Sequence, residues 1–157
     1  MPILRRVSSV VSLLVTDIVE STRLWTRFER EMSADLVVHD DVVAKVVDLY
    51  SGRVFKHTGD GALAVFEDPV AAVTAGSEIQ RALRSMAWRT EGGIRARVAV
   101  HAGTVIERDG DFFGTAVNRA ARLVGVCPPG AVVVTGVTAE LMADRPLVAR
   151  RGFGLVG

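Results

Sequence analysis

Near its start the chain carries the run Val10-Val11-Ser12-Leu13-Leu14-Val15-Thr16, almost wholly apolar and rich in β-branched residues, which stops on a carboxylate, Asp17. It is far short of the roughly 20 residues that a bilayer-spanning helix needs. Branching at Cβ favours an extended backbone, so the run predicts a buried strand. Asp17 then sits at the strand's carboxyl end, where sheets commonly place ligands. Arg5-Arg6 followed by Val7 to Val15 superficially resembles an export signal, but no small-residue cleavage site follows and the run passes directly into Asp17.

A buried strand requires a core around it. With 157 residues, 49% hydrophobic and 24% charged, the chain suffices for one domain over 1–157 and not for a second full one. Its 19 lysines and arginines against 18 acidic residues leave a net charge of +1, too little to mark a nucleic-acid or anionic-membrane surface. An anionic ligand must therefore be held by local groups. The single cysteine, Cys127, has no internal disulfide partner, and the expectation is a cytoplasmic protein in a reducing compartment.

Ser21 to about Tyr50 reads as helical, interrupted near Ser33 and Asp35, either of which suits a cap. Val38, Val42, Val46 and Leu49 recur there at helical spacing and are expected in the core. Gly52 to Thr58 and Gly61 to Phe66 read as strands joined by a tight turn at Gly59-Asp60-Gly61. Asp68-Pro69 opens a helix, with aspartate as cap and proline at the first helical position. Ile94 to His101 and Thr104 to Arg108 read as two strands, Asp109-Gly110 as a turn, and a helix starts near Thr115. A strand over Val132 to Thr135 and a short helix over Val137 to Met142 follow. This order predicts an α+β fold, a two-layer ferredoxin-like arrangement with one sheet face left free.

Several residues invite a chemical reading, each with a plain structural alternative. Asp17 alone is more often a helix cap, and Asp60 alone a turn residue. Together, two carboxylates meeting at one point make a poor apolar core but a good site for magnesium or manganese, which prefer oxygen ligands. Lys56 interrupts an apolar strand, either as a snorkelling edge residue or as a paired ammonium. Asp111 follows a turn, where solubilising charge is common. Asn118 and Arg122, four apart, share one helix face, with Val117, Ala121 and Val124 expected on the packed side. An arginine fork suits phosphate, though such a pair is also ordinary solvated surface. His39, His57 and His101 lack metal-ligand spacing and are read as structural. The chain has neither a Walker-type loop nor a GxGxxG fingerprint.

Three blocks, taken in order, resemble the signatures of class III nucleotidyl cyclases, in the style of bacterial and particularly actinobacterial members. They are Val15-Thr16-Asp17-Ile18-Val19-Glu20-Ser21-Thr22, Lys56-His57-Thr58-Gly59-Asp60-Gly61, and Asp111-Phe112-Phe113-Gly114-Thr115-Ala116-Val117-Asn118-Arg119-Ala120-Ala121-Arg122-Leu123. The similarity runs from about Val10 to Thr135. The resemblance implies that Asp17, Asp60 and the backbone carbonyl of Ile18 bind two divalent cations, Mg2+ or Mn2+. Lys56 and Asp111 would select adenine, Asn118 would orient the ribose, and Arg122 would stabilise charge at the phosphate under attack. It further implies an adenylyl cyclase that turns ATP into 3′,5′-cyclic AMP and pyrophosphate, at sites shared across a homodimer, with no nucleic-acid partner and no membrane insertion.

The adenine assignment has a physical basis beside the resemblance. Adenine offers an acceptor at N1 and a donor at its amino group, matching an ammonium and a carboxylate. Guanine reverses that pattern. A diguanylate cyclase would also need a Gly-Gly-Asp/Glu-Glu-Phe motif, which is missing. Two departures stand against the resemblance. Glu20 lies where many relatives carry glycine near the triphosphate, so its carboxylate either repels phosphate or points to solvent. The C-terminal region looks shortened, with Arg150 and Arg151 not aligning to a basic triphosphate contact. The competing expectation is a weakly active or non-catalytic nucleotide-binding and dimerisation module of the same fold.

Overall fold

The computed structural model describes residues 7–145 and 153–156. The apolar run is the middle of a longer strand, β1 (Val7–Ile18), at the centre of a seven-stranded sheet. β1 pairs antiparallel with β3 (Gly61–Phe66) on one side and β4 (Ala96–Arg108) on the other. The sheet runs β2-β3-β1-β4-β6-β7, with β2 spanning Arg53–His57, β6 Val132–Thr135 and β7 Phe153–Val156. β6 and β7 are the parallel members, and β5 (Asp111–Phe113) folds back on β4 through Asp109 and Gly110, both at positive φ. Two central residues at positive φ make a tight turn whose twist matches the strands it joins.

Two faces of β1 feed two cores. Leu14 faces α2 (Glu29–Leu49) and α3 (Pro69–Ser85), whose Val42, Val43, Val47, Val73, Ile79 and Leu83 form the larger cluster. Val11, Leu13 and Val15 face α4 (Thr115–Val124), packed through Ala116, Val117, Ala120 and Val124. The α+β sheet-and-helix architecture is as expected. The second sheet face is not free, however, because α4 and β5 cover it. Residues alternating along β1 are apolar in both phases, so both faces had to be covered.

Other boundaries shift for identifiable reasons. The helical stretch breaks at Phe28, between α1 (Ser21–Arg27) and α2, and not at Ser33 or Asp35. Asp35 instead lies buried inside α2 and accepts the backbone N–H groups of Arg89 (3.0 Å) and Thr90 (2.8 Å). The packed face of α2 runs through Met32, Asp35, His39, Val42, Val43 and Val47, leaving Val38 and Leu49 exposed. Ile94 to Arg108 is not two strands: β4 is continuous through Gly103, with β1 paired to it from Ala96 to Glu107. Ile94 lies just ahead of it, buried beside Ile18, Leu24 and Met32. On α4 the packed alanines are Ala116 and Ala120, and Ala121 faces solvent. The expected Asp68 cap holds, its carboxylate accepting from Val70 N with Pro69 opening α3. The short helix α5 spans Gly136–Leu141. Arg150 and Arg151 lie outside the described residues.

Candidate active site

Backbone register, more than side-chain contact, brings the two carboxylates together. Asp17 is paired with Gly61 across the β1/β3 ladder, and Ile18 N donates to the Asp60 carbonyl at 2.8 Å. A side chain at position 61 would put its Cβ 1.9 Å from the Thr16 carbonyl oxygen, so this approach requires glycine. Thr16 Oγ1 closes the junction by accepting from Ala62 N at 3.0 Å. The hairpin tip that looked like an ordinary turn is thereby fastened to the end of β1.

The side chains then make a small polar cluster. Ser21 Oγ donates to Asp60 Oδ2 at 2.9 Å, and Thr58 Oγ1 donates to Asp60 Oδ1 at 3.2 Å. Arg97 Nη1 reaches Asp17 Oδ2 at 3.4 Å while its Nε donates to the Cys127 carbonyl at 2.9 Å. Asp17 and Arg97 are 25% and 24% exposed, so the pair is neither dry nor freely solvated. Burial, and next the negative charge of Asp60, push the Asp17 carboxyl above its ordinary value of 3.8, while Arg97 pulls it down less strongly. Among the described residues no third histidine, cysteine or carboxylate joins the pair to make a protein-only metal cage. Two carboxylates with open positions suit magnesium or manganese, which fill their remaining sites with water and substrate phosphate.

Arg97, Ser21 and Thr58 were not singled out from sequence. Ser21 and Thr58 lie inside the quoted blocks beside the aspartates, and that adjacency was the available signal. Arg97 had only a weak one, a charge close to Arg95 at the start of an apolar strand, because its partners are 80 and 30 residues away.

The strands that carry Lys56 and Asp111 are tied together by a different device. β2 carries a bulge between Val54 and Lys56, so that Lys56 pairs with Leu63. Leu63 belongs to the α4-side core, as does the neighbouring Phe55, and the register therefore assigns Lys56 to that same face. Phe55 meets Phe112 edge to face, ring centroids 4.9 Å apart, which ties β2 to β5 and its Asp111. Lys56 is exposed on the edge strand and has no ion-pair partner among the described residues. Asp111 Oδ1 accepts from Phe112 N at 2.8 Å.

Asn118 and Arg122 are both exposed on α4, on the side away from the sheet. Among the described residues no hydrogen bond or ion pair links either to Asp17 or Asp60. The chain thus groups its candidates into a carboxylate corner at the end of β1 and an outward-facing set on β2, β5 and α4. Of the histidines, His101 is buried against Thr135, Nδ1 to Oγ1 at 2.9 Å, His39 is buried in α2, and His57 is exposed at the end of β2.

The sequence profile of the adenylate and guanylate cyclase catalytic domain matches residues 5–152. The chain belongs to that family. Among curated relatives, this cyclase domain is 34% identical over 139 residues to a putative adenylate cyclase 3 of Rhizobium meliloti, covering 87% of this chain and 24% of that protein. It is 38% identical over 131 residues to an adenylate cyclase of Streptomyces coelicolor, covering 82% and 33%. The domain therefore spans about a quarter to a third of these two proteins. Among solved structures, an adenylate/guanylate cyclase/hydrolase from Silicibacter pomeroyi superposes with a TM-score of 0.78 at 30% identity, covering 90% of this chain and 84% of that one. CyaB of P. aeruginosa shares the fold, with a TM-score of 0.77 at 20% identity over 90% and 84% of the two chains. No helix of the described residues is long and apolar enough to cross a membrane.

Proposed function

We propose that this cyclase domain is an adenylyl cyclase, converting ATP to 3′,5′-cyclic AMP and pyrophosphate at sites shared between two protomers of a homodimer. The observation that carries the reading is the corner where Asp17 and Asp60 meet, with the Asp17 carboxyl pushed up first by burial and then by the charge of Asp60. Two like charges held side by side by backbone register cost stability in an empty site. They become an advantage once a divalent cation lies between them and a triphosphate. Asp17, Asp60 and the Ile18 carbonyl would hold two Mg2+ or Mn2+ ions, whose chemistry is to acidify the ribose 3′-hydroxyl and neutralise the triphosphate.

The remaining work falls to side chains. Lys56 donates to adenine N1 and Asp111 accepts from the adenine amino group, a pairing that guanine would meet with donor against donor and acceptor against acceptor. Asn118 orients the ribose, and Arg122 provides fixed positive charge where the α-phosphate gains negative charge. Arg97, already beside Asp17, is the nearest cation to the carboxylate corner and supports anchoring of a phosphate there. That Asn118 and Arg122 project outward, without polar contact to the corner in their own chain, supports a site completed by a second copy.

Mixing inactive variants tests both chemistry and sharing. Asp17→Ala and Asn118→Ala proteins are each expected to lose cyclic AMP formation, while an equimolar mixture recovers about a quarter of wild-type activity through heterodimers with one intact site. Absence of recovery counts against shared sites. Equal turnover of GTP and ATP under matched manganese counts against the adenine assignment.

A further inference from the structure

Beside the carboxylate corner lies a cleft of about 140 Å³, whose lining includes Val19, Glu20, Arg23, Glu91 and Arg95. The chain itself joins it to the corner: Val19, whose N donates to the Arg95 carbonyl at 2.9 Å within the cleft, follows Ile18, and Glu20 directly precedes Ser21, whose Oγ donates to Asp60 at 2.9 Å. Glu20, between Val19 and Ser21, has φ 55 and ψ 36, in the left-handed region that non-glycine residues avoid. Its carboxylate caps nothing in α1 and instead accepts from Arg23 Nη1 at 2.8 Å. The cleft thus holds two arginines and two glutamates, and one arginine is already engaged.

We infer that the Glu20–Arg23 pair is an exchangeable counter-ion that sets affinity for the substrate's polyphosphate. A polyphosphate entering this cleft offers Arg23 a second anionic partner in competition with Glu20. Glu20 lowers affinity twice over, by occupying Arg23 and by placing negative charge beside the incoming phosphates. The inference rests on the nucleoside-triphosphate reading above, and concerns binding more than the chemical step, because neither residue belongs to the groups assigned to the reacting atoms.

Charge and backbone separate cleanly by variant. Glu20→Gln removes the charge and keeps a side chain at the strained position, whereas Glu20→Gly removes both. Glu20→Gln is expected to lower KM for ATP and to tighten calorimetric binding of inorganic tripolyphosphate, with magnesium present, by about two- to fivefold, the range of an exposed ion pair. The kcat should stay within about twofold. Arg23→Gln should weaken tripolyphosphate binding, and adding Glu20→Gln to it should have a smaller effect than on the native background, because the arginine it frees is gone. Tripolyphosphate binding that responds in this pattern without any cyclase activity would leave the inference standing and remove the cyclase reading. Unchanged binding and KM in a catalytically active Glu20→Gln protein would overturn the inference and leave the cyclase reading intact.

Discussion

The carboxylate corner and the outer face of α4 carry comparable numbers of candidate residues, yet they are built on opposite principles. Asp17 and Asp60 are held by the β1/β3 register, by Ile18 N on the Asp60 carbonyl, and by a glycine that nothing larger can replace. Among the described residues, Asn118 and Arg122 have no side-chain hydrogen bond or ion pair and are carried by the helix beneath them. One half is finished within the chain, while the other presents donors outward. Under the shared-site proposal, the contrast teaches that a half-site can be prepared in two ways: by fixing groups whose mutual repulsion awaits a counter-charge, or by leaving groups outward on a rigid surface.

The contrast breaks most visibly if mutating α4 harms folding. Arg122→Ala is expected to lower kcat by about a hundredfold or more while leaving stability within about 0.5 kcal/mol, read from steady-state kinetics and a urea melt on the same protein. Lys56→Ala, which removes a charged hydrogen bond proposed to adenine, should cost about ten- to a hundredfold in kcat/KM for ATP and narrow the gap to GTP. Gly61→Ala attacks the other half through its fold. With a Cβ driven to 1.9 Å from the Thr16 carbonyl, it should destabilise the domain by about 2–4 kcal/mol in the same melt, with or without divalent cations.

The smallest effect concerns the charge conflict itself. Because the folded Asp17 carboxyl lies above its ordinary value of 3.8, the folded chain binds a proton that the unfolded chain releases, across the window from 3.8 to that raised value. Metal-free stability should therefore fall as pH rises through that window. Asp17→Asn should flatten this dependence and raise the metal-free melting midpoint near neutral pH, at the expense of the extra stabilisation that manganese gives the native chain. A midpoint lowered by Asp17→Asn in the absence of metal would mean that Arg97 outweighs Asp60.

Much of this was legible in the sequence where the cause is local. The Asp68-Pro69 start of α3, the turn at Asp109-Gly110 and the limits of β3 and β6 follow from neighbours a few residues apart. The expectations that failed depend on distant partners. Asp35 looked like a cap because short acidic residues often are, but its acceptors serve Arg89 and Thr90 across the fold. Val38 and Leu49 fit a helical repeat, yet the face that packs is set by where α3 lies, and the stripe is turned away from them. Arg97 stayed hidden for the same reason. The aspartates and the α4 residues were named in advance through the three sequence blocks, whereas their division into a closed corner and an open face is visible only in three dimensions.

The irregularity in β2 has a consequence of simple parity. Side chains on an extended strand alternate like odd and even numbers, and Phe55 is the one uncounted member that lets Val54 and Lys56 fall on opposite sides of the sheet. Excising that single amino acid would make Val54 and Lys56 direct neighbours on a regular strand, still on opposite faces and still across from Ala64 and Leu63, and would remove only the Phe55 ring from its contact with Phe112. What the extra residue adds is therefore the aromatic contact that ties β2 to β5.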